Sequence, residues 1–219
     1  MKLILISADL KDIERSYALG VFSGVAGNPS LVADAGVPSP EMVRAILRIV
    51  PDRVFVQVSG IAADAMVAEG SELAAIDAQR VVVKVPVTAA GIQAIHRLSR
   101  QGVTVTATAI CASNEALLAT LAGARYLAPY MARISDIGGD GCRVVGEIVD
   151  LIRDRSLPAE VIAASVRTPE ELSLAWRAGA HFAAVQSSVI WKICANPAVE
   201  AAAQSFSEDY AARFGSRAR

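Results

Sequence analysis

The chain has 219 residues, of which 53% are apolar, 20% charged and 5% aromatic, and its formal net charge is −1. That length supports one domain with a large core and is short for two. The apolar content excludes a disordered chain, and the near-zero charge removes any electrostatic case for binding nucleic acid or an anionic membrane. Only four of the 21 basic residues are lysines: Lys2, Lys11, Lys84 and Lys192.

Short β-branched runs alternate along the chain with longer stretches of helical spacing. The first run starts near Leu3. It holds one basic residue and is followed by Asp9 and Lys11, so it reads as a strand and not as a signal peptide. The expected location is the cytoplasm. Further runs begin near Gly20, Val54, Val81, Val103, Arg125, Val161 and Phe182, giving eight candidate strands. Between them, Ser39-Pro40-Glu41 reads as a helix start with a capping hydroxyl, and Val43, Ile46, Leu47 and Val50 share one face before Pro51. Val144, Val145, Ile148, Leu151 and Ile152 form an amphipathic stripe, and Thr168-Pro169-Glu170-Glu171 reads as a capping box. Asn196-Pro197 opens a last helix that runs to about Phe214, beyond the eighth unit. No apolar stretch reaches the ~18–20 residues that span a bilayer.

Eight strand-then-helix units, with strands apolar on both faces, predict a parallel sheet covered by helices and closed into a (β/α)8 TIM barrel. The expectation is a single domain over 1–219, with an extra C-terminal helix. An open doubly wound sheet is the alternative, against which stands the missing G-x-G-x-x-G after the first strand. Gly138-Gly139-Asp140-Gly141 reads either as a phosphate cradle or as a plain strand-to-helix turn. Cys111, Cys142 and Cys194 are widely spaced, with no CxxC and no Cys/His cluster, so neither a disulfide framework nor a metal site is expected.

In such a barrel, chemistry gathers where strands end and the following loops begin. Period-two alternation puts Phe55, Gln57 and Ser59 on one face, and likewise Val82, Lys84 and Pro86. The next strands give Thr104, Thr106 and Thr108, then Tyr126, Ala128 and Tyr130. Lys84 stands out, because a lysine flanked by valines in mid-strand is desolvated, and desolvation favours the neutral amine. A neutral amine attacks a carbonyl carbon and yields a Schiff base. The competing reading is a lysine that snorkels to the barrel edge or pairs with a buried carboxylate. Tyr130 is a candidate proton carrier, directly or through a water held by Gln57 and Thr108. Arg133, just past the sixth strand, and Ser165 and Arg167, just past the seventh, are candidates for anion binding. His96, His181, Trp176 and Trp191 read as structural or packing residues.

The segments Val82-Val83-Lys84-Val85-Pro86-Val87-Thr88-Ala89-Ala90-Gly91, Asn28-Pro29-Ser30, Ala128-Pro129-Tyr130 through Ile134, and Ala163-Ala164-Ser165-Val166-Arg167-Thr168-Pro169 resemble the transaldolase family. The likeness is greatest to its small branch, the fructose-6-phosphate aldolases and short transaldolases, and it covers essentially the whole chain. The resemblance implies a metal-free and cofactor-free class I aldolase that acts on a ketose phosphate and an aldehyde. Lys84 would be the Schiff-base residue, Tyr130 the acid/base, and Gln57 and Thr108 the holders of the catalytic water. Asn28, Arg133, Ser165 and Arg167 would contact substrate. The helix at 197–214 would pack on a neighbouring subunit, in pentamers or decamers. Two features depart from the family: Ile6 stands where an acidic residue is usual, and Ala26-Gly27 where Thr-Thr is usual. They open a second reading, a Schiff-base aldolase for a less hydroxylated or differently charged substrate. A third reading, from another class, is a catalytically silent sugar-phosphate-binding relative.

Overall fold

The computed structural model describes residues 1–215; residues 216–219 of the expected domain lie outside the described residues. Eight parallel strands close in sequential order into a barrel: β1 (Lys2–Ile6), β2 (Phe22–Ala26), β3 (Arg53–Gln57), β4 (Val81–Pro86), β5 (Val105–Ile110), β6 (Tyr126–Pro129), β7 (Glu160–Val166) and β8 (Phe182–Val185). Eleven helices are described: α1 (Leu10–Tyr17), α2 (Pro29–Asp34), α3 (Ser39–Ile49), α4 (Ala63–Ala74), α5 (Ala89–Arg100), α6 (Ser113–Leu121), α7 (Met131–Asp136), α8 (Gly141–Asp154), α9 (Pro169–Arg177), α10 (Ser187–Cys194) and α11 (Pro197–Phe214). No helix among the described residues is long and apolar enough to cross a membrane.

Alternation along each strand divides the core in two. Outward residues such as Val83, Val85, Val105 and Ala107 pack with the helix layer. Inward residues form a separate cluster that includes Ile4, Phe55, Val82, Tyr126, Ile162 and Phe182. The Tyr126 ring meets Phe55 edge-on at 5.5 Å and Phe182 at 5.9 Å. Its hydroxyl accepts a hydrogen bond from the Arg53 guanidinium at 2.5 Å. These rings plug the barrel's lower half. Two residues further along the same strands stand Ala128, Ala164 and Ala184. That step from large to small side chains opens a cavity above the plug.

The strand that carries Lys84 is held closely by its helix. The Thr88 hydroxyl caps α5 by accepting from the Gly91 N–H at 3.0 Å. A Cβ on Gly91 would overlap the Pro86 carbonyl, so only glycine allows this approach.

Several local expectations are corrected. The helix expected to be capped by Ser39 starts one residue earlier: Pro38 is the cap, its carbonyl accepts from the Met42 N–H, and Ser39 is already helical. The Thr168 hydroxyl does accept from the Glu171 N–H at 3.1 Å, but the Glu171 carboxylate accepts from the Arg167 N–H instead of closing a capping box. Trp176 is 69% exposed and is not a packing residue within this chain. Trp191 is stacked by the Arg15 guanidinium at 4.4 Å. His181 has a structural task at the barrel's lower end, where its Nδ1 accepts from the Val161 N–H at 3.0 Å.

Candidate active site

The cavity above the plug has a volume of about 300 Å3 and is lined by residues from the carboxyl ends of several strands. Lys84 projects into it from β4, with its amine donating to the Gly27 carbonyl at 3.0 Å. Asn28 stands beside Gly27. Its side-chain oxygen is occupied in capping α2, where it accepts from the Leu31 N–H at 2.9 Å, which leaves the amide nitrogen as the group it can offer a ligand.

The two polar flanks depend on breaks in strand regularity. The β5–β6 register shifts between Thr108 and Ile110, where Ala109 adopts a φ of 62°. This bulge brings the Ile110 carbonyl to the Tyr130 N–H at 2.9 Å, and the Thr108 and Tyr130 hydroxyl oxygens lie 3.4 Å apart in a hydrogen bond. The β7–β8 register shifts between Ala163 and Val166, where Ser165 adopts a φ of 59°. Ser165 and its neighbour Ala164 therefore both face the cavity, which strict alternation forbids. A left-handed non-glycine residue at each of these two strand ends is backbone strain held in place by the surrounding barrel.

Arg133 lies over the Tyr130 ring at 4.9 Å, and no ion pair to it is found among the described residues. Arg167 lines the same cavity, but a bidentate pair with Asp136, at 2.8 and 3.0 Å, binds its guanidinium. Gln57, level with Lys84 in the strand register, and Thr108 are not among the residues that line the cavity. Thr108 is fully buried, and the buried Gln57 side-chain oxygen has no hydrogen-bond partner. An orphaned buried carbonyl oxygen is a place for a bound water. Ser59, expected on the same face, turns away to bond the Glu69 carboxylate at 3.1 Å. Gly138–Gly141 does not line the cavity: Asp140 caps α8, and a Cβ on Gly141 would overlap the Met131 carbonyl.

Sequence reasoning missed several contributors. Gln186 and Leu31 line the cavity, and the Gly27 carbonyl is the acceptor for Lys84. Gln186 follows the last residue of β8 directly, so its place at a strand end was the available signal.

Among the described residues no carboxylate lines the cavity. Burial alone therefore acts on Lys84 and pushes its ammonium down from the ordinary lysine value to about 8. A substantial share of neutral amine near pH 8, in a cavity that Tyr130 and Arg133 also line, can attack a carbonyl carbon.

Comparison with known proteins agrees with this chemistry. The family model described as Transaldolase/Fructose-6-phosphate aldolase matches residues 7–217. The chain belongs to this family. A probable transaldolase of Desulforudis audaxviator is 39% identical over 211 residues, covering 96% of this chain and 98% of the relative. Probable transaldolases of Pelotomaculum thermopropionicum (37% over 210 residues, 96% and 97% covered) and Clostridium botulinum (36% over 215 residues, 98% and 99% covered) are similar at the same level. The protein is thus an enzyme of the aldolase/transaldolase class, of Schiff-base type.

The displaced lysine titration has a consequence for stability in this transaldolase-family barrel. An unfolded lysine keeps its proton to a pH of about 10.4, whereas folded Lys84 gives it up at about 8. Between these values the unfolded state binds more protons, so folding becomes more favourable as pH rises through the window; below it, the buried charge costs stability. Lys84→Met should therefore raise Tm at pH 7, by a free energy of up to roughly 3 kcal/mol. The advantage should shrink as pH approaches 10, in thermal melts of both proteins across pH 6–10.

Proposed function

We propose that the protein is a class I aldolase or transaldolase in which Lys84 forms the imine with a ketose phosphate such as fructose 6-phosphate. The observation that carries this reading is the desolvated Lys84 amine, with no carboxylate partner, facing a cavity that also holds the Tyr130 hydroxyl. The Lys84 amine attacks the C2 carbonyl, and the carbinolamine loses water to give the imine. The C4 hydroxyl then gives up its proton to Tyr130 or to a water held by Gln57, Thr108 and Tyr130. The C3–C4 bond breaks, its electron pair enters the imine to form an enamine, and the aldehyde leaves. The enamine is either protonated and hydrolysed, which releases dihydroxyacetone, or it attacks an acceptor aldehyde. Asn28 and Ser165 hold hydroxyls of the substrate. Arg133, which has no ion pair among the described residues, holds the phosphate through charge-assisted bonds, and Arg167 joins it by exchanging its Asp136 partner for the phosphate.

Borohydride reduction in the presence of dihydroxyacetone or fructose 6-phosphate should attach the carbon chain to Lys84, as read by peptide mass mapping. Lys84→Arg keeps the charge and should abolish both the adduct and turnover. An unlabelled Lys84 with every small ketone tried would refute the mechanism.

A second reading concerns the donor. Ile6, Ala26, Leu31 and Ala184 make one side of the cavity apolar. A hydroxyl placed there finds no partner, at a cost of roughly 1–3 kcal/mol. This supports a donor with fewer hydroxyls than dihydroxyacetone. Ile6→Asp should shift preference from hydroxyacetone toward dihydroxyacetone by about tenfold or more in kcat/KM; an unchanged ratio would remove Ile6 as the switch.

The C-terminal helix is assigned to assembly. No residue of α11 is buried, and Val199, Phe206 and Phe214 are 61%, 72% and 71% exposed. Packing this face on a neighbouring copy would bury it, as in the pentamers or decamers that the resemblance implies. Removal of residues 197–219 should lower the mass seen by light scattering to that of a smaller species, and an unchanged mass would count against this assignment.

A further inference from the structure

Arg133 and Arg167 both line the Lys84 cavity, but they are not equally ready to take an anion. The short helix α7 starts directly after Tyr130 and carries Arg133 and, three residues later, Asp136. Met131, Ala132 and Ile134 are buried and anchor this helix, while Arg133 and Asp136 are exposed. Arg133 lies over the Tyr130 ring and has no ion pair among the described residues. Arg167 directly follows β7 and is held twice. Its backbone N–H donates to the Glu171 carboxylate at 2.6 Å, which fixes the main chain at the entry to α9. Its Nη1 and Nη2 both donate to the Asp136 carboxylate, at 3.0 and 2.8 Å. Asp136 itself does not line the cavity. A carboxylate outside the cavity thus occupies the guanidinium fork of a residue that lines it. The two side chains are 49% and 52% exposed, so the pair can open by side-chain rotation without unpacking the core.

We propose that Asp136 is a positioning residue that sets how strongly the enzyme prefers phosphorylated over unphosphorylated substrates, by holding the Arg167 guanidinium until a phosphate displaces it. The inference rests on the reading of Arg133 and Arg167 as the phosphate ligands. The fork formed by Nη1 and Nη2 takes one bidentate partner at a time. A phosphorylated substrate must therefore open the Asp136 pair to use that fork, and its affinity is lowered by the stability of the pair. A substrate without a phosphate leaves the pair closed and is unaffected. Arg133 has no such partner and binds the phosphate whether the pair is open or closed. Because α7 keeps Asp136 beside Arg167, the pair re-forms when a phosphorylated product leaves.

The test compares the wild type, Asp136→Asn, Arg167→Gln and the double variant, each as the full-length chain. Binding of inorganic phosphate is followed by phosphorus NMR titration. Cleavage is followed as the ratio of kcat/KM for fructose 6-phosphate to that for fructose. Asp136→Asn should tighten phosphate binding and raise the ratio by about 1.5- to 5-fold, the range set by an exposed ion pair. The change should lie in KM for the phosphorylated substrate, with kcat unmoved and borohydride trapping of dihydroxyacetone on Lys84 at the wild-type level. In the Arg167→Gln background the same substitution should have little effect, since the double-mutant cycle isolates the coupling between the two residues. An unchanged or weakened phosphate affinity in Asp136→Asn overturns the proposal, as does a gain of equal size in both backgrounds, which would show the carboxylate acting through its charge alone. Phosphate binding that is unmoved by Arg167→Gln refutes Arg167 as a phosphate ligand, and the inference with it. Failure to label Lys84 refutes the imine alone, because the phosphate titration needs no turnover and still decides the role of Asp136.

Discussion

The structure depends on keeping one amine out of water. The ring cluster of Phe55, Tyr126 and Phe182 seals the barrel beneath Lys84, and the fully buried Val83 and Val85 fix the strand on either side of it. Among the described residues no carboxylate lines its cavity. A barrel wide enough to admit a substrate at its mouth, yet plugged by packed side chains below, is what brings this lysine down to about 8. Arg53, which binds the Tyr126 hydroxyl from the opposite end, belongs to the same arrangement, because it satisfies the hydroxyl that the aromatic plug buries.

The polar half of the mouth is built differently. It needs side chains at positions that regular strands do not supply, and the bulges in β5 and β7 provide them. Ala109 and Ser165 accept left-handed conformations, which cost of order 1–3 kcal/mol each. In exchange, Tyr130 is aligned with Thr108, and Ser165 joins Ala164 on the cavity wall. The apolar half, from β1, β2 and β8, also carries a register shift, between Leu3 and Leu5, but none of its strand residues takes a left-handed conformation. This asymmetry separates a flank that handles protons and charge from a flank that only excludes water.

Much of this was legible in the sequence, because alternation and helical spacing are local properties. The eight strands follow from the β-branched runs along the chain, and the face that carries Lys84 follows from alternation within Val81–Pro86. Features set by distant contacts were not legible. Ser59 alternates correctly with Gln57, yet Glu69 on α4 draws it away. The bulges arise from register between neighbouring strands, which no single strand encodes. Arg167 reads as a free anion ligand until Asp136, 31 residues earlier in the chain, is placed against it. Trp176 has the spacing of a packing residue, yet it is 69% exposed.

The alanines above the aromatic plug bear on how such a site can change. Ala128, Ala164 and Ala184 come from three adjacent strands and form a floor above the rings, of which Ala164 and Ala184 line the cavity. None of them bonds to Lys84 through its side chain, and none forms part of the outer, helix-facing core. Evolution can raise or lower this floor one methyl group at a time while the register, the plug and the reactive amine stay as they are. The barrel thus keeps its chemistry and its capacity on separate residues, so a lineage can change what it holds without relearning how to react with it.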